Sequence, residues 1–257
     1  MDETIDRVWP DPAAGLDDDE LLAHMGFPAG RTWLRMNFIA SLDGASTREG
    51  RSGGLGDAAD RRVFNLLRRP ADAVLVAAGT ARIEGYGAMR LDDGAARWRV
   101  QNGLSPHPVF VLVTRSLNLD PRSAIFADAP VRPIVYTVSN GDARRRHALE
   151  AVADVVDVGA DDVEPTRLKE DLARRGLGRI HSEGGPSLFG SFLAARAVDA
   201  LHLTLTPTLE GGTAKRITDD ERATHTDMKL RTVLRSDSEL FLHYVRNDSA
   251  EKKGFST

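Results

Sequence analysis

The residues best suited to chemistry in this chain sit where apolar runs end. The strongest segment is Ile180-His181-Ser182-Glu183-Gly184-Gly185-Pro186-Ser187, an apolar run passing through two glycines into a helix that opens with proline. Glycines let the phosphates of a ligand approach the backbone, and a helix N-terminus offers free N–H groups and partial positive charge. Glu183 then stands at the C-terminal end of a strand, where open α/β sheets bind their ligands. The same segment also reads as an ordinary strand-to-helix turn, and no GxGxxG fingerprint accompanies it. A second junction, Val76-Ala77-Ala78-Gly79-Thr80-Ala81-Arg82, repeats the pattern, with Thr80 as an N-cap or a hydroxyl donor to phosphate. Two such junctions in one sheet suit a dinucleotide, which needs both ends held. A third segment joins Ser41-Leu42-Asp43-Gly44 to the loop 50–56, which holds four glycines together with Arg51 and Ser52. Asp43 reads as an acid, a hydrogen-bond acceptor or a plain Asp-Gly turn. Arg68 reads as a cation capping its own helix unless a ligand lies within reach.

Other constellations fail. The histidines show no i, i+4 ligand pair, and there is no cysteine for a thiolate metal site, a disulfide or a thiol nucleophile. No GxSxG elbow supports a serine nucleophile. No metal is implied.

The elements that must position these residues alternate in type. Strands are expected at Trp33–Ser41, 73–78, 108–114, 134–138, 152–158 and Arg179–Ser182. Helices are expected from Asp57, the N-cap, to residue 69 and Pro70, then after Gly79, and over 142–150, 166–175 and 187–195. Such alternation predicts a mainly parallel sheet with right-handed crossovers. Residues 201–206, 229–234 and 239–245 break the rule: two runs joined by the short Ser236-Asp237-Ser238 turn must pair antiparallel, so the sheet is mixed. Residues 1–32, rich in Asp and Pro with one helical candidate at Asp18–Met25, read as an extension whose Trp9, Leu21, Leu22 and Phe27 pack on the body. The body is expected over 33–247, with a frayed tail at 248–257.

Composition agrees with a α/β core: 41% of residues are hydrophobic but only 6% aromatic, so Val, Leu, Ile and Ala must fill it. The net charge of −4, with both signs interleaved, excludes a polybasic nucleic-acid or membrane footprint. An anionic ligand must be held by local geometry. The acidic start of the chain lacks a signal-peptide pattern and no apolar run approaches a membrane span, so a cytoplasmic protein is expected.

Taken in order, these segments resemble the pyrimidine reductase family of riboflavin biosynthesis, a dihydrofolate-reductase-like domain. The resemblance rests on Ser41–Gly44 (SLDG), the Ser52 loop, Asn65-Leu66-Leu67-Arg68, Gly79-Thr80, Thr114-Arg115-Ser116 and Glu183-Gly184-Gly185-Pro186, and covers about 32–245. It is nearest to single-domain actinobacterial members. It implies a dihydrofolate-reductase-like α/β fold, NADPH as cofactor and a small phosphorylated pyrimidine as substrate, 5-amino-6-(5-phosphoribosylamino)uracil or a close relative. By match, Gly79, Thr80 and Glu84 meet the cofactor, and Gly184, Gly185, Pro186, Ser187 and Leu188 hold its diphosphate. Thr114, Arg115 and Ser116 meet its 2′-phosphate. Asn37, Ser52, Arg68 and Glu183 fall on the substrate, with Ser52 and Arg68 at its 5′-phosphate, and Asp43 or Glu183 is the catalytic carboxyl. A homodimer through the strand at 201–206 and its hairpin neighbours is also implied. Two departures lie on the substrate side: Asn37 stands where bifunctional members carry lysine, and Glu84-Gly85-Tyr86 departs from the family's loop. The zinc deaminase half of bifunctional members is absent from the sequence. A pterin reductase and an NADPH-binding protein with little turnover remain alternative expectations.

Overall fold

Short Val/Leu/Ala-rich runs alternating with capped helices assemble one ten-stranded sheet in a computed structural model, which describes residues 4–222 and 224–247. The elements are β1 (Asp6–Trp9), α1 (Asp18–Met25), β2 (Trp33–Ser41), α2 (Ala58–Arg68), β3 (Ala73–Ala77), α3 (Ala78–Glu84), α4 (Asp93–Gln101), β4 (Val109–Val113) and α5 (Ala124–Ala127). After them come β5 (Ile134–Thr137), α6 (Ala143–Glu150), β6 (Asp154–Asp157), α7 (Pro165–Arg174), β7 (Arg179–Ser182), α8 (Pro186–Ala194), β8 (Ala200–Thr206), β9 (Met228–Ser236) and β10 (Glu239–Arg246). The order across the sheet is β1-β9-β10-β8-β2-β7-β3-β4-β5-β6. From β8 to β6 every neighbouring pair is parallel, whereas β10 runs antiparallel to β8 and β9, and β9 to β1. The sheet is therefore mixed and mostly parallel, as expected.

Helix α2 illustrates how the sequence sets an element. The Asp57 carboxylate accepts the N–H groups of Ala59 at 2.7 Å and Asp60 at 3.1 Å, a cap contributing about 0.5–2 kcal/mol. Ala59, Val63, Leu66 and Leu67 are buried and share a core with Leu21, Leu22 and Met25 of α1. Strand β7 carries Ile180 towards α7 and α8, where Leu168, Leu172, Phe189 and Phe192 close the other face. Successive strand residues point to opposite faces, so His181 and Glu183 face α2 instead.

The sequence reading is corrected in three places. The N-terminal segment adds a strand to the sheet, β1 on β9, rather than only packing a helix upon it. Ile5 and Leu16 are buried there, but Trp9, the last residue of the edge strand β1, is 46% exposed. Strand β8 is internal, paired on both sides, and the sheet edges are β1 and β6. Helices α4 and α5 escaped the sequence reading: α4 buries only Ala95 and Arg99, too little to print a periodic signal. The expected frayed tail, 248–257, lies outside the described residues. Among the described residues no helix is long and apolar enough to cross a membrane.

Candidate functional site

The chain leaves β3 towards β4 in one direction and leaves β7 towards β8 in the other, across β2. Such a switch point opens a crevice beyond the C-terminal strand ends, and a cleft of about 1090 Å³ lies there. Its walls come from Asn37, Phe38 and Ile39 of β2, the ends of β3 and β7, one side of α2, helix α3, the start of α8, and the loops at 46–53, 86–89 and 213–215.

Two glycines bring the junctions together. Strands β3 and β7 are parallel neighbours, and Ala77 N–H donates to the Gly184 carbonyl at 2.8 Å. A Cβ placed on Gly185 would overlap the Thr80 hydroxyl. Gly184 has φ +89°, and a Cβ there would stand 2.8 Å from the Phe38 ring. Both positions thus require glycine for packing between strand ends, before any ligand enters. Helix α8 begins with Pro186 and has no side-chain cap, whereas α1, α2, α4 and α6 are each capped by an aspartate. Its first N–H groups are therefore available to the cleft, which Pro186, Ser187 and Leu188 line. Thr80 lies inside the first turn of α3 and caps nothing; Ala77 holds the cap position.

The floor of the cleft is a buried charge cluster. Arg68 donates through Nε to Glu183 Oε1 at 2.5 Å and through Nη2 to Oε2 at 2.8 Å; Tyr86 Oη donates to Oε2 at 2.8 Å. The Glu183 side chain is only 1% exposed. Burial pushes its carboxyl up, but the Arg68 guanidinium overrides this and holds it at about 2. Tyr86 is raised well above its ordinary value, first by burial and then by the Glu183 charge, so it stays a hydrogen-bond donor. Behind Glu183, His181 is fully buried and its Nδ1 accepts from Arg35 Nε at 3.2 Å. The neutral ring must therefore carry its proton on Nε2, which faces Glu183 Oε1 from 3.5 Å, beyond a normal hydrogen bond. Burial lowers His181 to about 4. Arg35 is itself buried, donating to the carbonyls of Met25 and Leu67 with its guanidinium 4.2 Å from the Phe27 ring. A fixed carboxylate, an aligned phenol and a desolvated cation form a rigid polar wall that can orient a polar ligand while excluding water.

A family model described as the RibD C-terminal domain matches residues 32–242. The chain belongs to that family. A 2,5-diamino-6-ribosylamino-4(3H)-pyrimidinone 5′-phosphate reductase from Archaeoglobus fulgidus is 27% identical over 183 residues, covering 71% of this chain and 83% of the relative. A riboflavin biosynthesis protein RibD from Bacillus amyloliquefaciens is 27% identical over 186 residues; this chain covers 48% of it, about half its length. The crystal structure of a pyrimidine reductase-like protein from Corynebacterium diphtheriae superposes with a TM-score of 0.79 at 29% identity. It covers 85% of this chain and 93% of that one.

The expected site residues divide in two. Asn37, Ser52, Arg68, Gly79, Thr80, Glu84, Glu183, Gly185, Pro186, Ser187 and Leu188 all line the cleft. Their pairings differ from expectation. Arg68 is engaged by Glu183 rather than open to a phosphate, since a carboxylate this buried needs a cation. Glu84 Oε1 accepts from Ser52 N–H at 2.8 Å and Ser52 Oγ at 3.0 Å, so an intended cofactor contact and an intended substrate contact hold each other. Gly184, Asp43, Thr114, Arg115 and Ser116 do not line the cleft; Gly184 packs against Phe38 instead. Asp43 is exposed and ties two loops, accepting from Ser41 Oγ at 2.5 Å and from the N–H groups of Glu210 at 3.2 Å and Gly211 at 2.7 Å. Thr114 Oγ1 caps the Leu117 N–H at 3.0 Å, and Arg115 pairs with Asp162 at 2.9 Å, both mostly exposed. Tyr86, Asp60, His181 and Arg35 were assigned no role from sequence. Arginine in the middle of an apolar strand was the one readable signal, because it cannot be buried there without partners.

Proposed function

We propose that this protein is an NADPH-dependent reductase of a phosphoribosylamino-pyrimidine, delivering hydride to the sugar C1 of the opened ribosylamine. The observation that carries this reading is the convergence of the uncapped α8 N-terminus, the Gly184-Gly185 turn and the Arg68–Glu183–Tyr86 wall on one cleft large enough for a dinucleotide and a substrate. The residues fit a dinucleotide: glycine backbone and free N–H groups for the diphosphate, with Thr80 and Glu84 alongside. NADPH supplies the hydride; the protein supplies position and dryness. Glu183, ionised and locked between Arg68 and Tyr86, is suited to accept hydrogen bonds from the substrate's hydroxyl or N–H groups, and Tyr86 to donate one. Arg115, on the same sheet edge, is the proposed contact for the 2′-phosphate; its exposed pair with Asp162 contributes little and can be exchanged. The names of the relatives support the substrate class.

The test is NADPH oxidation by purified protein with the phosphorylated pyrimidines, with the ribitylamino product identified by mass. Tight NADPH binding without oxidation by any of them would overturn the reading and leave a binding protein or a pterin reductase. A cytosolic homodimer belongs to the same proposal. Leu203, Leu205, Val233, Leu240 and Leu242 stand half-buried on one face of β8, β10 and β9, an apolar patch that a second copy would cover. Light scattering of wild type and Leu242→Glu checks it: a wild-type monomer would remove the dimer.

A further inference from the structure

Arg35 is an odd occupant of the middle of a sheet. It is 1% exposed, and among the described residues its hydrogen bonds reach only neutral acceptors. Burial lowers its guanidinium to about 9. Stability does not account for such a residue, since a well-packed apolar side chain of similar volume often serves as well as a buried charge. Its contacts are more telling. Nη2 donates to the carbonyl of Leu67, one residue before Arg68, among the last carbonyls of α2, which a helix leaves without an internal partner. Nε donates to His181, its register partner on β7, two residues before Glu183. One side chain therefore holds the backbone beside Arg68 and the ring beneath Glu183, the two halves of the ion pair in the cleft. Its remaining contacts come from ahead of β2. Nη1 donates to the Met25 carbonyl, and the Phe27 ring lies 4.2 Å from the guanidinium. Both residues precede position 32, where the family match begins.

We infer that the segment ahead of β2 is a working part of the active site: through Met25 and Phe27 it fixes Arg35, and Arg35 holds His181 and the end of α2 so that Glu183 and Arg68 meet the substrate in register. Arg35 and His181 are positioning residues, and neither lines the cleft. The link is the His181 tautomer. Arg35 Nε can only donate, so Nδ1 of the neutral ring accepts and the proton stands on Nε2. That buried N–H has no partner within hydrogen-bond distance, and the acceptor it faces is Glu183 Oε1 at 3.5 Å. The opposite tautomer would turn a lone pair towards the carboxylate. Burial keeps the ring neutral, and the Arg35 charge adds to that effect. The other groups facing it are Glu183, which favours protonation, and Arg68 from α2, which opposes it. Beyond β2 stand His202 on β8 and His243 on β10, both held neutral by burial.

The inference rests on the reductase reading for its substrate, and one arm of its test needs no turnover. Long-range proton–nitrogen correlation spectra of the full chain, with His181 assigned by its loss in His181→Gln, read the tautomer and the protonation of the ring. Wild type should carry the His181 proton on Nε2 alone, unchanged from pH 8 to pH 5. In Arg35→Met, Nδ1 loses its donor and the ring loses the opposing charge while Glu183 remains, so it should change tautomer or take up a proton within that range. The second arm is kcat for the phosphorylated pyrimidine, normalised to NADPH sites counted by titration so that misfolded chains drop out. Arg35→Met and His181→Leu should lose about ten- to a hundredfold in kcat, the scale of a group displaced by an ångström, with NADPH affinity unchanged. His181→Gln keeps an N–H at the ε position and should recover most of that loss. Phe27→Leu removes only the ring over the guanidinium and should lose about two- to tenfold; it carries both comparisons if Arg35→Met does not fold. Failure of every pyrimidine to oxidise NADPH would sink the reductase reading and leave the ring spectra to decide on Arg35. A His181 ring in the same state in wild type and Arg35→Met overturns the inference. So does an unaltered kcat per site in Phe27→Leu and His181→Leu, or a loss in His181→Leu that His181→Gln shares in full.

Discussion

Two turns in this molecule begin alike and end differently. Ser41-Leu42-Asp43-Gly44 follows β2, Ser182-Glu183-Gly184-Gly185 follows its neighbour β7, and each places a carboxylate at the C-terminal edge of the sheet. Both carboxyls lie at about 2. The causes are opposite. Asp43 is exposed and is lowered by hydrogen bonds, first from the Ser41 hydroxyl and then from the Gly211 and Glu210 N–H groups. Glu183 is buried, which alone would raise it, and only the Arg68 charge reverses the outcome. A low carboxyl pKa therefore does not mark a reactive site; what distinguishes the Glu183 turn is desolvation balanced by a cation beside a cleft.

The sharpest way to break this comparison is to remove the cation. Arg68→Met should cost about 3–5 kcal/mol, because it strands a buried charge, and denaturant melts at neutral pH would show it. In wild type the lowered carboxyl gives stability that is fully present above its unfolded value of 4.5 and drains as pH falls towards about 2. His181, neutral when buried, adds a loss between 6.5 and about 4. In Arg68→Met burial raises Glu183 instead, so the stability gap to wild type should narrow as pH falls from 7 to 5. A gap independent of pH would show that Glu183 is not the group stranded.

The glycine turn offers the next test. Gly185→Ala should weaken NADPH by at least tenfold, since the new methyl meets the Thr80 hydroxyl and forces one junction off the other. Combining it with Thr80→Ala should restore most of the packing. Fluorescence titration gives the affinities, and an unchanged affinity in Gly185→Ala would mean that the turn does not shape the cofactor site. Arg115→Ala should weaken NADPH about ten- to a hundredfold and leave NADH alone, as expected for one hydrogen bond to a charged group contributing about 1.5–3 kcal/mol. Equal losses for both cofactors would assign Arg115 to its loop. The smallest effect belongs to Asp43→Asn, which should lower the melting temperature slightly by loosening the tie to Glu210 and Gly211 and leave kcat within about twofold. A loss of kcat as large as that of Glu183→Gln would make the two turns equals after all.

Much of this arrangement was legible in the chain. Strand β7 and helix α1 fall at the residues where periodicity and caps place them, and α2 begins at its Asp57 cap. These are local effects: a capping carboxylate, a run of β-branched residues and a glycine act over a few positions, and the sequence carries them whole. The cleft-lining residues Ser52, Thr80 and Glu183 were legible too, as polar groups beside glycine turns beyond apolar strands, whereas Glu84 followed only from the family resemblance. Their partners were not. That Arg68 would meet Glu183 depends on α2 crossing behind β7, a contact spanning 115 positions. That Thr204 would donate to Asp60 spans 144. Arg115 and Asp43 read as well as Glu183 in one dimension, yet they point into solvent and into a loop. The sequence by itself determined most of the elements, though not β1, α4 or α5, together with the switch in strand direction and the glycine turns, because each depends on neighbours along the chain. Only the tertiary structure decided which charges are buried together, because burial and compensation are set by what packs across the sheet.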